Sequence, residues 1–290
     1  MYRTGSAAIA ALLLASSAAA VPLSFDTLAP GQTNGPTSLF GSPTVEGLSV
    51  DFLNVATEFG TTVDARVTAT VKPQTSFGTS SSTTNGFPNT FIYDYANANT
   101  EPSDDLGFIY QGQGVNSTEN GIELSFQFFD GTGAKSGMFQ ETLTLQEIEI
   151  AVYDVDGESA QSEFFRAFTG DGLVSYGLGT TPQALQATYE GNGTFRFDGP
   201  GMDFAEDDAS GAALLTYANT DFFRLSFGSV QTASPNRNGV FSAVDGDLSL
   251  FDPNDFNVSP VPLPAGGVLL LSALGAMAWR GRRRQAAAEA

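Results

Sequence analysis

The chain has no cysteine and no histidine, and its one tryptophan is Trp279. Without cysteine there is no disulfide and no thiol nucleophile, so an exported form must rely on its core for stability. Without histidine there is no Ser-His-Asp triad and no imidazole metal site. The chemistry left open is that of carboxylates: paired acids of the kind glycosidases use, or oxygen ligands for hard cations such as calcium. Basic residues are scarce. Between Val21 and Pro264 seven lysines and arginines face 31 acids, a net charge of −24. A body this acidic repels phosphate backbones, which argues against nucleic acid as a partner, and it concentrates cations. No window ahead of residue 265 carries a helical stripe.

What is there reads as β structure. In Thr62–Lys72 (TVDARVTATVK) Val63, Ala65, Val67, Ala69 and Val71 take one face and polar residues the other, the period of a half-buried strand. Gly121–Asp130 repeats the device with Ile122, Leu124, Phe126 and Phe128. Leu143–Asp154 does so with a change of phase near Glu147, which a bulge would explain. Thr194–Asp198, Ala213–Tyr217, Phe222–Phe227 and Val240–Phe251 are further strands, and segments such as Thr75–Asn89 and Gln111–Gly121 have loop composition. With 24 phenylalanines to fill a core, the expected fold is all-β: an antiparallel β-sandwich over residues 21–258, with a jelly-roll among the open topologies. A signal peptide (1–20) and a C-terminal single hydrophobic helix (within 259–290) frame it.

The N-terminus carries Arg3, an apolar stretch from Ala7 to Ala15, and small residues including Ala18 and Ala20. That is a secretory signal, which signal peptidase would cut after Ala20 to leave Val21 first. Nine apolar residues are too few to span a bilayer. At the other end, Val261-Pro262-Leu263-Pro264-Ala265 opens an uncharged run to Trp279, and Arg280, Arg282, Arg283 and Arg284 close it. As a helix the fifteen residues Ala265–Trp279 cover about 22 Å against ~30 Å of hydrocarbon. The arginines resist translocation and would hold the tail on the cytoplasmic side. These features alone fit either a permanent single-span anchor or a removable signal.

In motif, position and order this tail resembles the VPLPA-CTERM sorting signal, a variant of the PEP-CTERM class of Gram-negative bacteria. The resemblance covers residues 261–284 only, and Gln285–Ala290 extend beyond the point where such signals usually end. It implies an inner-membrane intermediate, cleavage near the motif by an exosortase (a Cys protease-transpeptidase), and delivery to the cell surface or extracellular matrix. The implied setting is exopolysaccharide and biofilm. Members share the tail and not the body, so the tail does not reveal what the body does.

The densest acidic constellation is Val152–Glu163, VYDVDGESAQSE. Carboxylates so close repel one another unless a cation or exposure relieves them. The spacing differs from an EF-hand loop, with glycine at the fourth position and the last acid at the tenth. The expectation is one calcium ion held by Asp154, Asp156 and Glu163, with Glu158 nearer solvent; the alternative is a solvated acidic turn. Asp203, Glu206, Asp207 and Asp208 form a second candidate.

Two functional classes stay open. One is a non-catalytic surface or matrix protein that binds calcium or carbohydrate, with polysaccharide as a partner. The other is a secreted glycan-cleaving enzyme using two carboxylates. Tyr93, Tyr95 and Tyr110 are candidates for a sugar platform, though tyrosines on strands more often pack in cores. The non-catalytic class is preferred.

Overall fold

The computed structural model describes residues 20–30, 48–72, 75–76, 91–95, 105–112, 121–158, 161–231 and 240–261. Ala18, the motif from Pro262 onward and the arginine cluster lie outside them, as do the side chains of Tyr93, Tyr95 and Glu158. Among the described residues no helix is long and apolar enough to cross a membrane.

In chain order the strands are β1 (Leu48–Glu58), β2 (Thr61–Val71), β3 (Thr75–Ser76), β4 (Phe91–Tyr95), β5 (Asp105–Gly112), β6 (Ile122–Asp130), β7 (Leu145–Tyr153) and β8 (Gly157–Glu158). They continue with β9 (Gln161–Phe168), β10 (Leu173–Gly179), β11 (Gln186–Gly191), β12 (Thr194–Asp198), β13 (Ala213–Thr220), β14 (Phe222–Gln231), β15 (Val240–Asp245) and β16 (Phe256–Pro260). One sheet runs β1-β2-β6-β14-β9-β12-β11 with β8 beside β9, and the other β16-β10-β13-β7-β15-β5-β3 with β4 beside β5. The strand pairings in both are antiparallel. From β5 onward the chain changes sheet at every connection except β8–β9, β11–β12 and β15–β16.

Alternation drives this layering. Ile122, Leu124, Phe126 and Phe128 of β6 are fully buried while the residues between them are part-exposed. The inner faces meet through aromatic rings. Tyr217 stacks on Phe223 at 4.5 Å and Phe108 meets Phe227 edge-on at 4.4 Å, each pair bridging the two sheets. Such pairs contribute about 0.5–1.5 kcal/mol beyond the area they bury. On β7 the inward set does change phase between Leu145 and Ile148. The register on β13 is unbroken, however, with left-handed Asn219 opposite, so the pairing shows no bulge there.

The four described arginines sit on one sheet. Arg66, Arg166, Arg196 and Arg224 place their guanidinium carbons over phenylalanine rings, 4.0 to 5.1 Å from the nearest centroids. Each also pairs with a carboxylate. The outer face of the other sheet is covered by the segment after β15. The buried Asp245 carboxylate organises that segment by accepting N–H bonds from Asp247, Leu248 and Leu250.

Both ends of the body leave at the same pole. Val21 bridges Ile148 in parallel and donates its N–H to Glu147 at 2.9 Å. Val261 is packed in the core and donates its N–H to Val174 at 2.8 Å. Ile148, Tyr217 and Leu173 stand in one row across the sheet, so the two exits flank that row. Paired structure runs through Pro260, two residues past the boundary read at 258. The loops after β7, β10 and β12 gather at the opposite pole.

Candidate functional site

At that opposite pole β7 ends on buried Tyr153, and Asp154 takes a left-handed turn (φ 56°). The bend therefore comes earlier than Gly157. Gly157 has its own constraint: at φ 101° a Cβ there would sit 2.2 Å from the Gln161 carbonyl oxygen, so the position is reserved for glycine. The tight β8–β9 hairpin then returns the chain through Gln161 to Glu163.

Glu163 points inward. It occupies the same face of β9 as Phe165 and Ala167, both core residues, and is only 7% exposed. Its Oε1 makes a long contact of 3.4 Å with the Gln161 amide, and its Oε2 is buried with no hydrogen-bond partner. Burial pushes its carboxyl well above the ordinary range, and the charges of Asp156 and Asp154 push it further. Tyr110, wholly buried on the facing sheet, is raised by burial and then by the Glu163 charge.

Asp154 is pushed up to about 8, by burial first and then by Asp156, Glu206 and Asp203. Asp156 is raised by burial, but less freely. Its Oδ2 accepts the Phe204 N–H at 2.8 Å and its Oδ1 the Gly157 N–H, and both bonds favour the charged form. Other buried carboxylates of this fold are better satisfied. Asp64 accepts N–H bonds from Asn54 and Gly137, and Asp105 accepts the Tyr153 hydroxyl. An unmade bond on a buried polar atom costs roughly 1–3 kcal/mol, which makes Glu163 the exception needing an explanation.

The sequence-predicted acids Asp154, Asp156 and Glu163 thus fall within one electrostatic cluster. Asp203 and Glu206, read from sequence as a separate candidate, belong to the same cluster. Asp208 does not act with them: its carboxylate caps the turn at Ser210. Among the described residues no three such side chains stand where they would hold a metal ion. Burial and mutual repulsion leave Asp154 and Glu163 holding their protons above the ordinary carboxyl range. Tyr110 offers no sugar platform, since its ring is in the core.

No protein-family model matches the chain, and no curated protein resembles it in sequence. Among solved structures it is similar to the N-terminal domain of the Streptococcus gordonii adhesin Sgo0707, with a TM-score of 0.42 and 15% identity over 75% of this chain. The match covers 47% of that chain, about half its length. The adhesin domain of PrgB from Enterococcus faecalis gives 0.40 and 13% over 78% of this chain and 81% of that one. The same domain bound to DNA gives 0.39 and 12% over 76% and 86%. Likenesses this distant assign no ligand or activity to this chain.

Proposed function

We propose that this chain is an exported, non-catalytic surface protein, sorted through its VPLPA tail, whose acid pole is presented to the extracellular matrix. The observation that supports it most directly is the seat of Val261. The first residue of the motif is locked into the sandwich by core packing and by its bond to Val174, so cleavage substrate and folded body are contiguous. The exits share one pole and the cluster of Asp154, Asp156, Glu163, Asp203 and Glu206 occupies the other, an arrangement that would turn that cluster away from the membrane. Polysaccharide is the partner class in keeping with that setting. Calcium is the cation that would bridge the acids to it. Nucleic acid is disfavoured by the charge.

The enzymatic alternative is weaker. A general acid must come within hydrogen-bond reach of its substrate. Glu163, whose raised carboxyl best suits that role, is enclosed between the sheets. Binding to a polysaccharide array with no release of reducing ends supports the proposal; release of reducing ends, lost in Glu163→Gln, would replace it with the enzyme.

Processing gives a separate expectation. Mass spectrometry of surface-extracted protein should find Val21 as the N-terminus and no peptide beyond about Ala265. An intact peptide from Arg282 to Ala290 in the mature surface form would instead mark a permanent anchor.

A further inference from the structure

The pole from which both ends leave has an unusual tip. The β1–β2 hairpin turns on Phe59 and Gly60, at φ 49° and 82°. Glycine or asparagine is the usual occupant of such a left-handed position, because a Cβ crowds the backbone there. Here a phenylalanine occupies it and leaves its ring 81% exposed. Nothing in the sandwich core repays this conformation. Met138 and Val174, 51% and 43% exposed, lie on the same pole.

The hairpin is fixed next to the chain exits. Glu58 accepts the Gln146 N–H at 2.8 Å, and the neighbouring Glu147 carbonyl accepts the N–H of Val21. On strand and sheet spacings Phe59 lies about 20 Å from Val261 across the pole. Several acids of this pole are already paired: Lys135 bridges Asp130 and Glu141 at 2.5 and 2.7 Å, and Arg224 holds Asp171 at 3.0 Å.

We propose that in the membrane-held form this pole rests on the lipid surface, with Phe59 seated at the headgroup boundary. The inference rests on the reading that the apolar run after Ala265 enters the bilayer. Val261 is fixed in the core, and Ala265 is four residues on. Four residues of fully extended chain reach at most about 14 Å, so the pole cannot stand far from a membrane that holds the tail. Phenylalanine, with tryptophan and leucine, is a residue that enters the headgroup–acyl boundary of surface-bound segments, and insertion there removes from water a ring that the sandwich leaves exposed.

The chain's single tryptophan makes the test direct. Full-length protein is reconstituted in phosphatidylcholine vesicles bearing a headgroup-level lipid quencher. Quenching of native Trp279 reports the tail. Phe59→Trp in a Trp279→Phe background reports the tip, and Met202→Trp in the same background reports the acid pole. The expected result is quenching of Trp279, quenching at position 59 to at least half that extent, and none at position 202. Quenched Trp279 with no quenching at position 59 overturns the proposal. An unquenched Trp279 overturns it through the reading of the tail. Phe59→Asn, which suits the left-handed turn, should also raise the melting temperature by about 1–3 °C. A fall would make Phe59 a structural residue and sink the idea.

Discussion

Lowering the pH from about 8 to about 5 is expected to stabilise this protein, and Asp154→Asn is expected to abolish much of that response. A carboxyl whose folded-state value is raised binds its proton more tightly in the native chain than in the unfolded one. Its contribution is fully present below the unfolded value near 4 and is lost as pH rises through the folded value. For Asp154 the window runs from about 4 to about 8. Glu163 and Asp156 act in the same direction. Groups of opposite behaviour, such as Glu190 held low by Arg166, lose their contribution only below about pH 4.5, beneath the fall from pH 8 to pH 5. One unit is 1.36 kcal/mol, so Asp154 alone sets a ceiling of about 5 kcal/mol at pH 8. Its partial solvent contact lowers the true figure. Asparagine has nearly the same shape and tolerates the left-handed turn. The variant should therefore melt well above the parent at pH 8 and equal it at pH 4. A parent whose stability rises from pH 5 to 8 would show that the acids are not coupled as described. Calcium provides the second arm. A cation that ionises the cluster on binding should stabilise the parent most at high pH, by about 2.7 kcal/mol at a hundredfold excess over its dissociation constant. Asp154→Asn should lose that gain. Equal gains from magnesium or from sodium at matched ionic strength would reduce the effect to charge screening.

The parts of this fold that were legible are those in which one face is apolar and the other polar. β2 and β6 fall within a residue or so of the expected bounds because alternation in them is unbroken. β9 was not read as a strand. Glu163 and Gln161 occupy inward positions where an apolar residue is expected, and these polar side chains disguise it. β1 was missed because Asn54 at φ 55° and a register shift between Phe52 and Ala56 break its period. β11 is mostly exposed and has no apolar face to show. At the candidate site, the run Asp154–Glu163 is local and could be read. The arrival of Asp203 and Glu206 could not, because it depends on the Phe204 N–H reaching Asp156 across the fold. The inward aim of Glu163 is likewise set by the register of β9 on β14, where it stands opposite Ser229.

Replacing Gly121 with alanine is expected to cost about 4 kcal/mol or more, while the same change at Gly60 costs about 1. Both glycines have positive φ, 113° and 82°, so both substitutions carry the strain of an L-residue in a left-handed region. Only Gly121 adds a collision. A Cβ there would lie 1.8 Å from the Phe227 carbonyl oxygen and 2.8 Å from the Gly228 Cα, whereas Gly60 faces open space. The colliding atoms are backbone, so no rotamer change relieves them. β14 cannot retreat either. It is paired to β6 on one side and β9 on the other, and the Phe227 ring is packed against Phe108 and Phe165. Overpacking of this kind costs roughly 1–3 kcal/mol where side chains can adjust, and more where they cannot. Against a total stability of about 5–15 kcal/mol, Gly121→Ala should bring the protein near or past unfolding at 37 °C. Urea denaturation followed by circular dichroism would show this as a midpoint shifted far below that of Gly60→Ala. Equal shifts in the two variants would mean that Gly121 does not approach β14 this closely, and that the turn leading into β6 is built differently.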